Sequence, residues 1–95
     1  MMLQVYCYFD KKMSYYSLPI FKTEKKEEFT ETFLRVLSSG KAELPVEMLD
    51  CDLYYLGVFD DKSGRFGLLE HPEFLLTLSE YYKAPEKEEK DGEDK

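Results

Sequence analysis

The sequence predicts a small α+β domain, in which two β-hairpins form an antiparallel sheet and one helix packs on it, and three stretches carry that reading. Leu53 to Phe59 is a β-branched and aromatic run that ends in the turn cluster Asp60-Asp61-Lys62-Ser63-Gly64. Its glycine suits the positive-φ position of a short bulged loop. Leu3 to Phe9 alternates as a strand does. Phe29, Phe33, Val36 and Leu37 recur at the spacing of a buried helical stripe. The order is ββαββ, followed by a short C-terminal helix or strand.

The first strand presents Leu3, Val5, Cys7 and Phe9 on one face and Gln4, Tyr6 and Tyr8 on the other. Asp10 to Met13 reads as a turn, and Ser14 to Leu18 pairs back as a strand kept short or at an edge by Pro19, which cannot donate to a ladder. Thr23 is placed to cap a helix over Glu24 to Ser38, with Glu24, Glu27 and Glu28 at its positive end and Gly40 available to end it. That helix is expected to cover the face carrying Val5, Cys7 and Phe9. Lys41 to Asp52 is a connector with a turn near Val46 to Leu49. Arg65 to Leu69 returns as the partner of the Leu53 run. His71-Pro72 then reads as a helix start, with Phe74, Leu75, Leu78, Tyr81 and Tyr82 along one side to Lys83. A strand over residues 73 to 78 is the competing reading. Residues 1–83 form the expected single domain, and residues 84–95 a disordered acidic tail.

At 95 residues the core is modest, so a homodimer or higher oligomer is expected. With 43% hydrophobic and 16% aromatic residues the body is too apolar for a disordered chain. The net charge of −7 is uneven. Residues 1–41 hold seven bases against five acids, residues 42–83 three against nine, and the remainder three against six. Long-range attraction to nucleic acid is thereby excluded, and any binding must be local to the N-terminal region. There is no signal-peptide pattern and no long apolar stretch, so a cytosolic protein with no membrane contact is expected.

Two isolated cysteines and one histidine do not make a zinc site, and Cys7 reads as a buried thiol. His71 has no nucleophile or carboxylate partner assignable from spacing, so no enzymatic role is expected, nor any metal or cofactor. Asp60-Asp61 fits a turn better than a cation site. The tyrosines come as Tyr6-x-Tyr8, Tyr15-Tyr16, Tyr54-Tyr55 and Tyr81-Tyr82, and adjacent residues of a strand face opposite sides, so some rings must be exposed. Tyr6 and Tyr8, beside Lys11 and Lys12, suit base stacking with cations tracking phosphates, and suit equally a protein interface. Lys25 and Lys26 at the helix start fit either a phosphate site or a solvated charged face. The acidic tail fits competition with DNA, partner recruitment or solubility.

Leu53, Tyr54, Leu56, Gly57, Phe59, Asp60, Asp61, Ser63 and Gly64 match a Leu-Tyr-x-Leu-Gly-x-Phe-Asp-Asp-x-[Ser/Thr]-Gly core. With Tyr6, Asp10, Tyr16, Pro19 and Phe21 upstream, the chain resembles the small non-structural, or DNA-binding, protein of gokushoviruses, microviruses with circular single-stranded DNA genomes. The resemblance implies a non-structural protein that assists viral DNA replication in the cytoplasm of a bacterial host by binding single-stranded DNA. Tyr6, Tyr8, Lys11, Lys12, Tyr15, Lys22, Lys25, Lys26 and Arg65 are the expected contacts. The alternative is an acidic interaction module that binds a host or viral replication protein without touching DNA.

Overall fold

The computed structural model describes residues 1–85, and their architecture corrects the expected one. The described chain is mostly β, with 44% strand against 26% helix, and forms a curled antiparallel half-barrel with two short α-helices rather than a ββαββ α+β domain with a helix packed on two hairpins. The elements run β1 (Met2–Asp10), β2 (Tyr15–Tyr16), β3 (Ile20–Lys22), α1 (Lys26–Ser38), a 3-10 helix (Val46–Asp50), β4 (Cys51–Asp60), β5 (Arg65–Thr77) and α2 (Leu78–Tyr81). The sheet order is β2-β1-β4-β5, and β3 pairs with β1 beyond β2. The tail from Glu86 onward, the greater part of the expected residues 84–95, lies outside the described residues.

Local chemistry accounts for each departure. Ser17, Leu18 and Pro19 interrupt the second strand, leaving the two- and three-residue pieces β2 and β3 on one edge. The helix starts at Lys26 with Lys25 at its N-cap and no side-chain cap, so Thr23 does not cap it. Gly40 does take positive φ, as expected of the residue that ends it. Strand β5 runs straight through His71-Pro72, where a helix start was expected, and continues to Thr77, so the competing strand reading of residues 73 to 78 holds up to that residue. Tyr55 pairs with Glu73 and Gly57 with Leu68, so four residues of β5 stand opposite the single Leu56 of β4. That bulge places Pro72 where no ladder bond is required, and Phe74 and Leu76 then pair with Tyr54 and Leu53.

The bends need glycine. Gly57 has φ +138°, and a Cβ there would run into the Gly67 carbonyl oxygen and lie 2.8 Å from the Leu68 Cα. Gly64, at φ +75°, closes the β4–β5 turn in the manner its sequence predicts. Within that turn the Asp60 carboxylate accepts from the Lys62 amide at 3.0 Å. This backbone hydrogen bond, helped by Ser63, holds the Asp60 carboxyl below its usual range.

The core is small and one-sided. Tyr6, Leu37, Leu53, Leu76 and Leu78 are its buried members, with Tyr8, Ile20, Phe29, Phe33 and Tyr55 packed against them. The helix therefore reaches the Tyr6 and Tyr8 face, not the Val5, Cys7 and Phe9 face assigned to it from the sequence. The Tyr6 ring lies 4.2 Å from that of Phe29, and Tyr8 is 6.3 Å from Phe33. Two contacts fix the helix: Lys26 bonds both oxygens of Glu73 at 3.0 and 3.1 Å, and the Lys83 amide donates to the Leu37 carbonyl at 2.9 Å.

Candidate functional site

The face of the sheet that no helix covers is lined with aromatic rings. Cross-strand partners share a face, so the registers place Phe9 with Tyr16, Cys7 with Tyr54 and Phe74, Val5 with Phe21 and Gly57, and Leu3 with Phe59 and Phe66 on one side. Seven rings result: Phe9, Tyr16, Phe21, Tyr54, Phe59, Phe66 and Phe74. Their floor is made of small residues, Val5 and Cys7 at 1% exposure together with buried Gly57. Desolvation on this floor pushes the Cys7 thiol up and keeps it protonated.

Ring distances show how strongly the face is curled. Phe21 on β3 and Phe66 on β5 are three strand spacings apart, roughly 14 Å in a flat sheet, yet their centroids lie 6.1 Å apart. Tyr16 and Tyr54, two spacings apart, lie at 5.8 Å. The sheet bends toward the rings and the rings lean over the floor, so the face is a trough. Its rings fall into two groups. Phe9, Tyr16, Tyr54 and Phe74 form a row across β2, β1, β4 and β5, in which Tyr54 meets the other three edge-on and Phe9 and Tyr16 are tilted, while Phe21, Phe59 and Phe66 form a triad nearer the hairpin tip. Tyr16, Phe66 and Phe74 keep about half their surface open. Edge-to-face pairing is a favourable packing of rings, and the same exposed faces remain open to a flat or apolar ligand.

Cations stand at the ends of this trough. Lys11 and Lys12 occupy the turn after β1, which the Asp10 carboxylate stiffens by accepting from the Lys12 and Met13 amides at 2.9 and 3.0 Å. Lys11 reaches back to Asp52, paired opposite Phe9 and 7% exposed, with 3.0 Å between Nζ and Oδ1. Arg65 stands opposite Asp60 at the other end, at a position of β5 that alternates to the side away from the rings, beside the turn carrying Lys62.

The nine residues expected to contact DNA do not share one surface. Tyr6 is fully buried, and its hydroxyl has no hydrogen-bond partner among the described residues. Burial pushes that hydroxyl up to about 12. Tyr8 is half-buried and, with the exposed Tyr15, borders a cleft of about 200 Å³ beside Met48 and Cys51. Lys22 sits 5.9 Å over the Phe29 ring. Lys25 is the helix N-cap residue, and Lys26 is held by Glu73 and lies 5.1 Å over Tyr55. These six therefore gather on the helix side, whereas Lys11, Lys12 and Arg65 stand at the trough's ends. The rings of the trough were missed, although a signal was present: Phe9, Tyr16 and Tyr54 each alternate with a neighbouring tyrosine of the opposite face. Among the described residues no group of His, Cys, Asp and Glu could hold a metal ion, and no helix is long and apolar enough to cross a membrane.

Fold and trough together define a class: a small curled-sheet protein with one face packed under a helix and the other open as an aromatic platform. The model of the Phage ORF5 protein family matches residues 3–81, and the chain belongs to that family; it is a phage protein. No curated protein and no solved structure matches it.

Proposed function

We propose that this phage protein assists viral DNA replication by binding single-stranded DNA, in the cytoplasm of the bacterial host of a gokushovirus-like microvirus. The observation that carries the reading is the open trough, with seven rings on one face and cations at both ends. Bases stack on such rings at roughly 1–3 kcal/mol each whatever their identity, while lysine and arginine track the backbone. The contacts move accordingly from Tyr6 and Tyr8 to Tyr16, Tyr54, Phe66 and Phe74, with Lys11, Lys12 and Arg65 retained. The match of Leu53 to Gly64 to the gokushovirus motif supports the viral lineage.

Anisotropy titration of labelled single- and double-stranded oligonucleotides at two salt concentrations tests this. The expected result is a salt-sensitive preference for the single strand, weakened about tenfold or more by Tyr54→Ala or Phe74→Ala. No binding at low salt, or binding indifferent to both substitutions, sinks the proposal.

A second reading has its own observation. Residues 42–83 carry three bases against nine acids, and Lys11 and Lys26 are already paired with carboxylates. These favour an acidic module that docks a host or viral replication protein. Under it, replacing Lys12 and Arg65 by Glu leaves the protein's role in replication intact, whereas the DNA reading requires it to weaken.

A further inference from the structure

The two edges of the sheet are unlike. One is broken into β2 and β3 with Pro19 between them, and pieces so short offer little to a second strand. The other edge is β5, thirteen residues long, the last strand of the sheet order, and exposed throughout Arg65–Phe74. The four-residue bulge spans Leu69 to Pro72 and interrupts the ladder there, so the regular edge is Arg65–Leu68. Arg65–Leu68 contains neither proline nor lysine, and its one charge, Arg65, stands at its end and leaves Phe66, Gly67 and Leu68 uncharged. Segment 65–68 is thus a short open edge that alternates Phe66 and Leu68 toward the trough with Arg65 and Gly67 on the other side.

We infer that a second copy of this chain pairs with this edge, β5 running antiparallel to β5 of its partner about a two-fold axis at Gly67. Antiparallel edge pairing about such an axis keeps each face on its own side and sets like parity opposite like. Phe66 of each copy then lies beside Leu68 of the other, on the trough side. The troughs join into one aromatic surface and neither is covered.

Charge favours a meeting here. Residues 58–69 hold two acids and two bases, whereas the chain as a whole carries −7, so two copies repel least at this end. The size of the contact sets its strength. Phe66 and Leu68, at 51% and 59% exposure, offer on the order of 200 Å² of apolar surface per copy. Stable complexes use about 800 Å² per partner, so the dimer is weak and appears only as concentration rises.

Sedimentation velocity over a wide dilution series, without DNA, reads this directly. Expected is a monomer–dimer equilibrium that Leu68→Lys weakens by about tenfold or more, while Phe74→Ala, beyond the bulge, leaves it unchanged. Leu68 is exposed, and an unaltered melting curve shows that the variant is folded. Register is read by mixing Phe66→Cys chains with Leu68→Cys chains under mild oxidation. The mixture cross-links between unlike chains, and neither variant does so comparably alone. A monomer at every concentration, a dimer indifferent to Leu68→Lys, or a cross-link pattern without the 66–68 preference overturns the inference. Because DNA is absent, such failure leaves the DNA-binding reading standing, and failure to bind DNA leaves this one.

Discussion

The two faces of one sheet are built here from the same kinds of residue and end in opposite conditions. On the helix side Tyr6, Leu53 and Leu76 are buried to 3% exposure or less. On the trough side the rings cover Val5 and Cys7 but leave Tyr16, Phe66 and Phe74 half open. Hydrophobicity does not separate the faces. What separates them is one helix, held by Lys26 to Glu73 and by the Lys83 amide to Leu37. Stability should therefore concentrate on the covered face and recognition on the open one.

Truncation on each side gives the sharpest test. Leu53→Ala empties a fully buried position and should cost about 2–5 kcal/mol, whereas Phe74→Ala removes a half-exposed ring and should cost about 1 kcal/mol or less. Urea unfolding of both variants measures the difference. Equal losses would mean that the trough is a second core and would break the comparison.

Both faces share one hinge, and its loss should be felt almost as strongly. Gly57→Ala should cost about 2–3 kcal/mol, since a Cβ meets the Gly67 carbonyl and the backbone is held at φ +138°. Amide exchange should show β4 and β5 loosening around Gly67 and Leu68 while α1 keeps its protection. Loosening confined to the helix would place the bend elsewhere.

These elements also show what the sequence can tell. The β4 strand, its Asp60-to-Gly64 turn, the buried Cys7 and, of the Phe29, Phe33, Val36 and Leu37 stripe, every position but the exposed Val36 are legible, because each rests on a local rule of period or turn geometry. The face assignment was not. Alternation divides β1 into two sets but does not say which a helix will cover, and here both sets are apolar or aromatic. Tyr6 was assigned to the face opposite the one expected under the helix, yet its ring fills the site against Phe29 and leaves its hydroxyl unpaired among the described residues. The passage of β5 through Pro72 was equally hidden, since the bulge opposite Leu56 depends on pairing with a distant strand. The trough was hidden for the same reason: its rings come from five strands, and only the registers bring them together.

The smallest expected effect bears on that buried tyrosine. Its hydroxyl has no partner among the described residues, so Tyr6→Phe deletes a desolvated polar group without breaking a bond and should change stability at neutral pH by about 1 kcal/mol or less, in either direction. Alkaline pH separates the two proteins. Burial raises the folded-state value to about 12 against an ordinary value of 10.0. The neutral form is thus favoured in the fold, and its contribution is complete below about pH 10 and lost as pH rises toward about 12. Burial also raises Tyr8 and Tyr54, so the variant will still weaken in alkali, but less than the parent. Thermal melts at pH 7 and across the alkaline window should show the curves diverging only above about pH 10. Parallel loss in both would mean that the Tyr6 hydroxyl reaches water, and the covered face would then be less closed than its packing shows.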